Sequence, residues 1–326
     1  IEIQYSDLAG NNGGIVVQTT DNSQVTFDKT PPLNFVVGVF NSLGGNEINN
    51  IWNLTNTSLS IIIPIENDTT LEEGEVQILA KIGGNNFSNI SSLNSILSNQ
   101  INSEKIVSLS AQDLENHMGF TELDTIYINA IMNDRAGNIT NGSQSLTKVL
   151  IDQTPATITP VSIISNNNIS SLAKVDDQVE ITFTSSEILT DTLVLISGQT
   201  SQVLGSGTNQ FEAIYNMQIS DPEGIVTFNI SYTDIQGNPF DGITQTSNGS
   251  SVIFDRTKPQ LDVVTILSDN LCNSGSRSKA GDTVTISFSS DEPLLSLSAT
   301  ILDSNASITD LSNDNYEASY IFNNSD

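Results

Sequence analysis

Asp234-Ile-Gln-Gly-Asn238 and, a short polar loop later, Val252-Ile-Phe-Asp255-Arg-Thr-Lys-Pro259 form a paired motif that occurs three times in the chain. A second copy is Asp134-Arg-Ala-Gly-Asn138 with Val149-Leu-Ile-Asp152-Gln-Thr-Pro155, and a third is Asp7-Leu-Ala-Gly-Asn11 with Val25-Thr-Phe-Asp28-Lys-Thr-Pro31. In each, the Asp and the Gly-Asn pair sit between alternating apolar runs and suit an Asx turn with positive φ, which predicts a hairpin. The Asp-x-Thr exit and its proline cannot continue a ladder, because proline lacks an N–H and restricts the residue before it. Each copy therefore marks the end of one domain and the start of the next. The exits at Asp28, Asp152 and Asp255 recur at roughly the 100-residue length of a β-sandwich domain.

A chain of 326 residues accommodates two or three domains, each with its own core. It carries 38 acidic and 10 basic residues, a formal charge of −28, which repels phosphate backbones and anionic membranes and disfavours nucleic-acid binding. The longest apolar run, Ile61-Ile-Ile-Pro-Ile65, is far too short to span a bilayer, so no direct membrane insertion is expected. A polar surface made mainly of Asn, Ser and Thr suits strand faces and loops better than long helices. The single cysteine, Cys272, excludes an internal disulfide and reads as a buried or inert thiol, with pairing between molecules as the alternative. No signal sequence is visible, and the chain opens at Ile1 inside a strand pattern, which predicts a processed or trimmed piece.

The markers divide the chain into four parts. Residues 1–28 read as the last two strands of a sandwich, a ribbon that is marginal alone in water. Residues 29–152 form a complete domain, with strands expected at 35–40, 58–65, 75–82, 106–109 and 125–132. It is about twenty positions longer than the next domain. Part of the excess falls at 85–105, where Leu93, Ile96, Leu97 and Ile101 have helical spacing and predict one short packed helix. Residues 153–255 form a second complete domain; its Val179-Glu-Ile-Thr-Phe183 run alternates inward and outward as a half-wet strand does. Residues 256–326 begin a third in the same order: Gly281-Asp-Thr-Val-Thr-Ile-Ser-Phe288 repeats that strand, and 316–326 align with 211–221.

The third domain thus lacks its last strands, while residues 1–28 are such strands with no domain of their own. Ile1 aligns with Phe228, so the two pieces together nearly complete one repeat. A sandwich without those strands exposes core and sheet edge, which drives association. Three explanations remain open: a window from a longer tandem array, donation of strands from one subunit to the next, or a meeting of both ends in one chain.

The Gly281 to Pro293 strand with its Ser-Asp-Glu-Pro ending, the Asp-x-x-Gly-Asn turns at 134 and 234, and the Phe-Asp-x-Thr exits at 28 and 255 resemble the tandem immunoglobulin-like repeats of bacterial cell-surface filament and adhesin proteins. The resemblance covers residue 154 to the end well and 29–152 less well. It implies an all-β chain of immunoglobulin-like sandwiches and the work of a spacer, stalk or filament body.

Residues that could carry chemistry are few. His117 is the one histidine, no serine or cysteine motif points towards it, and it reads as a surface or satisfied side chain in a protein that is not an enzyme. Calcium is a possible but not required cofactor: Asp28, Asp152 and Asp255 fall at junctions near the Asp134 and Asp234 turns, and hard oxygen ligands at a boundary would stiffen a thread. The competing reading makes these side chains turn caps. Glycosylation triplets occur at Asn53, Asn56, Asn67, Asn86, Asn89, Asn138, Asn141, Asn168, Asn229, Asn248, Asn305 and Asn323.

These observations predict a structural repeat of an extracellular thread or adhesin stalk whose partners are copies of itself, head to tail, with glycans as further decoration. The expected assembly residues are Ile1, Ile3, Tyr5, Val25 and Phe27 on one side and Tyr316, Tyr320 and Phe322 on the other. The alternatives are a ligand- or carbohydrate-binding adhesion module, for which Trp52 and six tyrosines would be the stacking platforms, and a spacer within a large secreted enzyme.

Overall fold

A computed structural model of the chain describes residues 1–272 and 275–325. Its contacts divide into two compact units, Ile1–Met217 with Ile225–Ile253, and Gln218–Gly224 with Phe254–Asp326.

In the first unit, alternation dictates the strands. Ser58–Ile65 and Glu75–Ile82 each bury every second residue, so their Ile, Leu and Val side chains form one apolar face. Ser58–Ile65 lies between Phe40–Leu43 and Ser103–Ser110, antiparallel to both. The opposing sheet runs in the order Ile51–Trp52, Val149–Ile151, Thr125–Asn133, Glu75–Ile82. Leu59, Ile61 and Ile63 from one sheet and Ile78, Ile126 and Ile128 from the other share one fully buried core. The second sandwich of this unit repeats the plan. One sheet orders Ile158–Ser165, Gln178–Ser185, Gln210–Asn216 and Gln202–Leu204; the other orders Gln199–Thr200, Leu193–Ile196, Phe228–Thr233 and Pro239–Ile243. The fold is all-β, as the alternation predicts.

Segment 85–105 differs from the expected helix. It holds two short strands, Ser88–Asn89 and Asn94–Ser95, which both pair with Glu75–Ile82, and a 3₁₀ turn at Ser98–Gln100. Of the four apolar residues with helical spacing only Ile96 is buried, while Leu93 and Leu97 face solvent. The edge of the Glu75–Ile82 ladder outcompetes a helix that would have had one anchor. The one α-helix among the described residues is Ala111–Glu115, opened by a Ser110–Asp113 capping box. The strand expected at 35–40 begins only at Phe40, although Phe35 and Val37 are buried.

The second unit contains the sheet Leu261–Ser268, Thr283–Ser290, Asn315–Ile321, Ser307–Asp310, the same order as in the second sandwich. The registers also match. Val161 faces Phe183 and Ile163 faces Ile181; Val264 faces Phe288 and Ile266 faces Ile286. Both first strands shift register at the same place, between Ile158 and Val161 and between Leu261 and Val264. Among the described residues of this unit, the further sheet is the hairpin Thr300–Ile301 and Ser304–Asn305.

Candidate functional site: the turns, the exits and the open sandwich

The three Asp-x-x-Gly-Asn turns share one hydrogen-bond pattern. In the Asp134 turn, Oδ1 accepts from the Ala136 and Asn138 N–H groups, each at 2.9 Å, and Oδ2 accepts from Asn138 Nδ2 at 2.8 Å. In the Asp7 turn, Oδ1 accepts from Ala9 and Asn11 at 2.9 and 2.8 Å, and Oδ2 accepts from Asn11 Nδ2 at 2.8 Å. In the Asp234 turn, Asn238 donates its N–H to Oδ1 at 2.8 Å and its side-chain amide to Oδ2 at 3.2 Å. The Asn11 side chain and the backbone donors hold the Asp7 carboxyl below its ordinary range. Gly137, Gly237 and Gly10 all take φ near +90°, a conformation that a Cβ penalises.

These turns do more than reverse the chain. Asn138 also donates to the Asp28 carbonyl at 3.4 Å, and Asn238 donates to Asp152 Oδ1 at 3.2 Å. In both cases the turn of one domain reaches the exit of the domain before it. At the Asp152 junction the loop 44–56 completes the contact. Asn46 Nδ2 donates to the Gly237 carbonyl and Asn53 Nδ2 to the Gln236 carbonyl, both at 2.8 Å, while the Leu54 N–H donates to Asn238 Oδ1 at 2.8 Å. Asn side chains here replace water for backbone groups that the loop could not otherwise satisfy.

Acidic side chains crowd the same junction. Glu122 caps the Gln153 N–H at 3.0 Å and the Thr154 N–H at 3.2 Å. Burial and the charges of Glu122, Glu187 and Asp234 push the Asp152 carboxyl up to about 6. Burial, with Asp234 and Glu122, also raises Glu187. In the second unit Glu223 takes the place of Glu122, accepting from the Arg256 N–H at 3.0 Å and Thr257 Oγ1 at 2.6 Å. Desolvation, Asp255, Asp291 and Glu223 raise Glu292. Asp152 is buried at its junction; Asp255, its counterpart, is exposed and caps only the Thr257 N–H, at 3.0 Å.

Among the five aspartates considered for calcium, the structure brings Asp152 and Asp234 together through Asn238 and uses the carboxylates of Asp134 and Asp234 as turn caps. Asp28 caps the Thr30 N–H at 2.9 Å. Among the described residues no three acidic, histidine or cysteine side chains converge into a metal-sized cluster.

The third sandwich exposes residues whose counterparts in the second are buried. Val161 and Ile163 are each 2% exposed; Val264 and Ile266, at the same registers, are 59% and 60% exposed. Ile266, Val284, Ile286, Ile301 and Phe322 line an apolar groove. Of the expected assembly residues on this side, Tyr316 is instead a core residue stacked on Phe288 at 5.6 Å, as Phe211 stacks on Phe183 at 5.0 Å. Tyr320 and Phe322 meet edge to face at 5.7 Å and are half-buried.

On the other side Ile1, Ile3, Tyr5, Val25 and Phe27 are all exposed. The bridges Ile3–Val16 and Ser6–Asn12, with the Gly13 N–H donating to the Tyr5 carbonyl at 2.8 Å, pair residues 1–16 as a ribbon. Residues 1–28 hold isolated bridges and no regular strand; matched from Ile1 to Phe228, they correspond in sequence to Phe228–Thr233, Pro239–Ile243 and Ile253–Phe254 of the second sandwich.

Other sequence expectations shift as well. Asn53 and Asn56 are buried, the Asn53 amide donating to the Asn46 and Gln236 carbonyls and the Asn56 amide to the Gly44 carbonyl; Asn138 is half-buried and donates its amide to Asp134 and Asp28. Asn67, Asn86, Asn89, Asn141, Asn168, Asn248, Asn305 and Asn323 are exposed, and Asn229 is half-buried. Trp52 is fully buried with its indole N–H on Glu115 at 3.3 Å, so it is no stacking platform. Cys272 is exposed rather than buried. His117 Nε2 lies 2.9 Å from Ser88 Oγ, a pairing that sequence spacing did not reveal. Its Nδ1 is buried without a partner among the described residues.

No protein family and no curated protein matches the chain. Among solved structures it is similar to a Ca²⁺-stabilised adhesin with which an Antarctic bacterium binds ice, at 15% identity, 98% coverage of this chain and 72% of that one, and a TM-score of 0.43. It is also similar to a structure from a 1.5-MDa bacterial ice-binding adhesin, at 15% identity, coverage of 90% and 88%, and a TM-score of 0.36. BcpA, the major pilin subunit of Bacillus cereus, matches at 10% identity, coverage of 81% and 96%, and a TM-score of 0.20.

Proposed function

We propose that this chain is a non-catalytic structural repeat of an extracellular thread or stalk, in which the open sandwich of each unit is completed by strands of the kind found in residues 1–28. The observation that carries this reading is the contrast between buried Val161 and Ile163 and exposed Val264 and Ile266 on strands of identical register. Burying a Val or Ile side chain contributes on the order of 1.5–3 kcal/mol, so two such side chains, with Phe27 and Ile3 from the incoming segment, supply a strong drive to associate. Strand donation between chains and covalent continuation in a tandem array produce the same sandwich geometry.

Removing residues 1–28 should abolish end-to-end association in analytical ultracentrifugation and electron microscopy while leaving the sandwich of residues 154–255 folded. Threads of normal length from the truncated chain would refute the reading.

The crowded carboxylates around Asp152 favour calcium as an accessory ligand, one that would relieve their mutual repulsion without being required for folding. A calcium titration read by thermal unfolding tests it: a rise in Tm lost in Asp152→Asn supports a junction cation, and an unchanged Tm removes it.

A further inference from the structure

We infer that Asn248 is a self-modification site, converted by the amide nitrogen of Gly249 and by water to aspartate and isoaspartate, and that the fold shields the identical tripeptide at Asn141 from the same chemistry.

Asn141-Gly142-Ser143 and Asn248-Gly249-Ser250 are the same three residues in two settings. Their intrinsic reactivity is therefore alike, since in each a glycine without a Cβ leaves its nitrogen unhindered towards the asparagine Cγ. The fold separates them. Asn141 ends the strand Ile139–Asn141, paired with Thr125–Asn133, and the Gly142 N–H donates to the Ala130 carbonyl at 2.9 Å. A Cβ at Gly142 would fall 2.5 Å from the Phe35 ring, so the nitrogen has no room to swing towards Cγ without breaking the ladder. The third such pair, Asn12-Gly13, has its N–H on the Tyr5 carbonyl at 2.8 Å. Gly249 instead lies in an exposed turn at φ +74°, where its N–H has no partner among the described residues and an added Cβ meets nothing within 4 Å.

The turn also activates its own asparagine. The Ser250 N–H donates to Asn248 Oδ1 at 3.0 Å, the oxygen that gains negative charge when a nitrogen adds to Cγ. Hydroxide takes the Gly249 amide proton, the nitrogen bonds to Cγ, and Nδ2 leaves as ammonia after gaining a proton from water. Water then opens the cyclic imide. Attack at Cγ restores the main chain and leaves aspartate; attack at the main-chain carbonyl leaves isoaspartate. One water is consumed, one ammonia is released, and nothing is oxidised or reduced.

The two products differ in what they do to the sheet. Asp21 takes the place of Asn248 when Ile1 is matched to Phe228, and it shows that aspartate fits this turn. The Ser23 N–H donates to Asp21 Oδ1 at the same 3.0 Å, and Thr19 Oγ1 donates to the Ser23 carbonyl at 2.8 Å as Thr246 Oγ1 does to that of Ser250. Isoaspartate routes the main chain through Cγ and inserts one carbon before Gly249. That displaces Ser250, whose Oγ otherwise accepts from the Ile163 N–H at 2.9 Å. Ile158–Ser165 is an edge strand, so the conversion uncovers a sheet edge that the turn had covered.

The test incubates the full chain at mildly alkaline pH, folded and in urea, and follows each asparagine by peptide mapping with mass spectrometry and by isoaspartate methylation. In the folded chain Asn248 should convert about tenfold or more faster than Asn141, because a paired amide reacts only after local opening. In urea the two rates should converge. Equal rates in the folded chain, or a gap that survives in urea, would overturn the inference. Asn248→Asp should leave amide exchange at Ile163 unchanged, whereas chains carrying isoaspartate at position 248 should exchange it about tenfold or more faster. Full protection of Ile163 in the isoaspartate form would overturn the uncovered edge.

Discussion

Asn238 Nδ2 lies 3.2 Å from Asp152 Oδ1, and this contact joins the turn of one sandwich to the exit of the sandwich before it. The same amide also serves Asp234, so its loss removes a donor from two buried carboxylates at once. Asn238→Ala should lower the unfolding free energy by about 2–4 kcal/mol in urea titration, because unsatisfied buried acceptors cost more than the bonds they lose. A value within error of zero would mean that water replaces the amide at the junction.

The pH dependence has a definite sign. Asp152 titrates near 6 in the folded chain and near 3.8 when unfolded, so the folded state binds its proton more tightly. The stability this group contributes is complete below about pH 3.8 and is lost as pH rises through about 6. Comparing wild type with Asp152→Asn from pH 4 to 7.5 isolates it from other carboxylates. The variant should become the more stable of the two above pH 6, by about 1–2 kcal/mol once solvent screening is allowed for.

Two alanine substitutions at equivalent positions should diverge. Val161→Ala removes a buried side chain and should cost about 1.5–3 kcal/mol in the isolated chain. Val264→Ala should cost little there, since Val264 is exposed, and should instead weaken end-to-end association measured by sedimentation. Equal thermal destabilisation by both would place Val264 inside a closed core.

Two glycines with nearly the same φ separate backbone strain from steric fit. At Gly137 an added Cβ meets nothing within 4 Å, so Gly137→Ala should cost about 1 kcal/mol for the left-handed conformation alone. At Gly237 the added Cβ would fall 2.5 Å from Asn53 Nδ2 and 3.0 Å from the Asn46 Cβ. Gly237→Ala should therefore cost at least twice as much and should unlock the 44–56 loop, visible as faster amide exchange at Leu54.

The Asp-x-x-Gly-Asn turns were readable from sequence because their chemistry is local: one aspartate, one positive-φ glycine and one asparagine within five residues. Strands such as Ser58–Ile65 and Gln178–Ser185 were equally plain, since alternation encodes them directly. What escaped was decided by partners distant in sequence. Leu93 and Leu97 have the spacing of a helix, yet the edge of Glu75–Ile82 recruits their neighbours into short strands. Asn53 reads as a glycan acceptor until the Gln236 carbonyl arrives from another domain and takes its amide. Trp52 and Tyr316 were misplaced for the same reason: an aromatic ring carries no mark of which neighbour will cover it.

The asparagines of the 44–56 loop make the joint between the first two sandwiches a mechanical element as well as a chemical one. Asn46, Asn53 and Leu54 grip the 236–238 backbone by short directional bonds rather than by a broad greasy surface. Such bonds weaken steeply once stretched by a fraction of an ångström or tilted far from line. A joint held by such bonds resists twist and small bending more than a broad apolar contact would, and gives way once pulled past their short range.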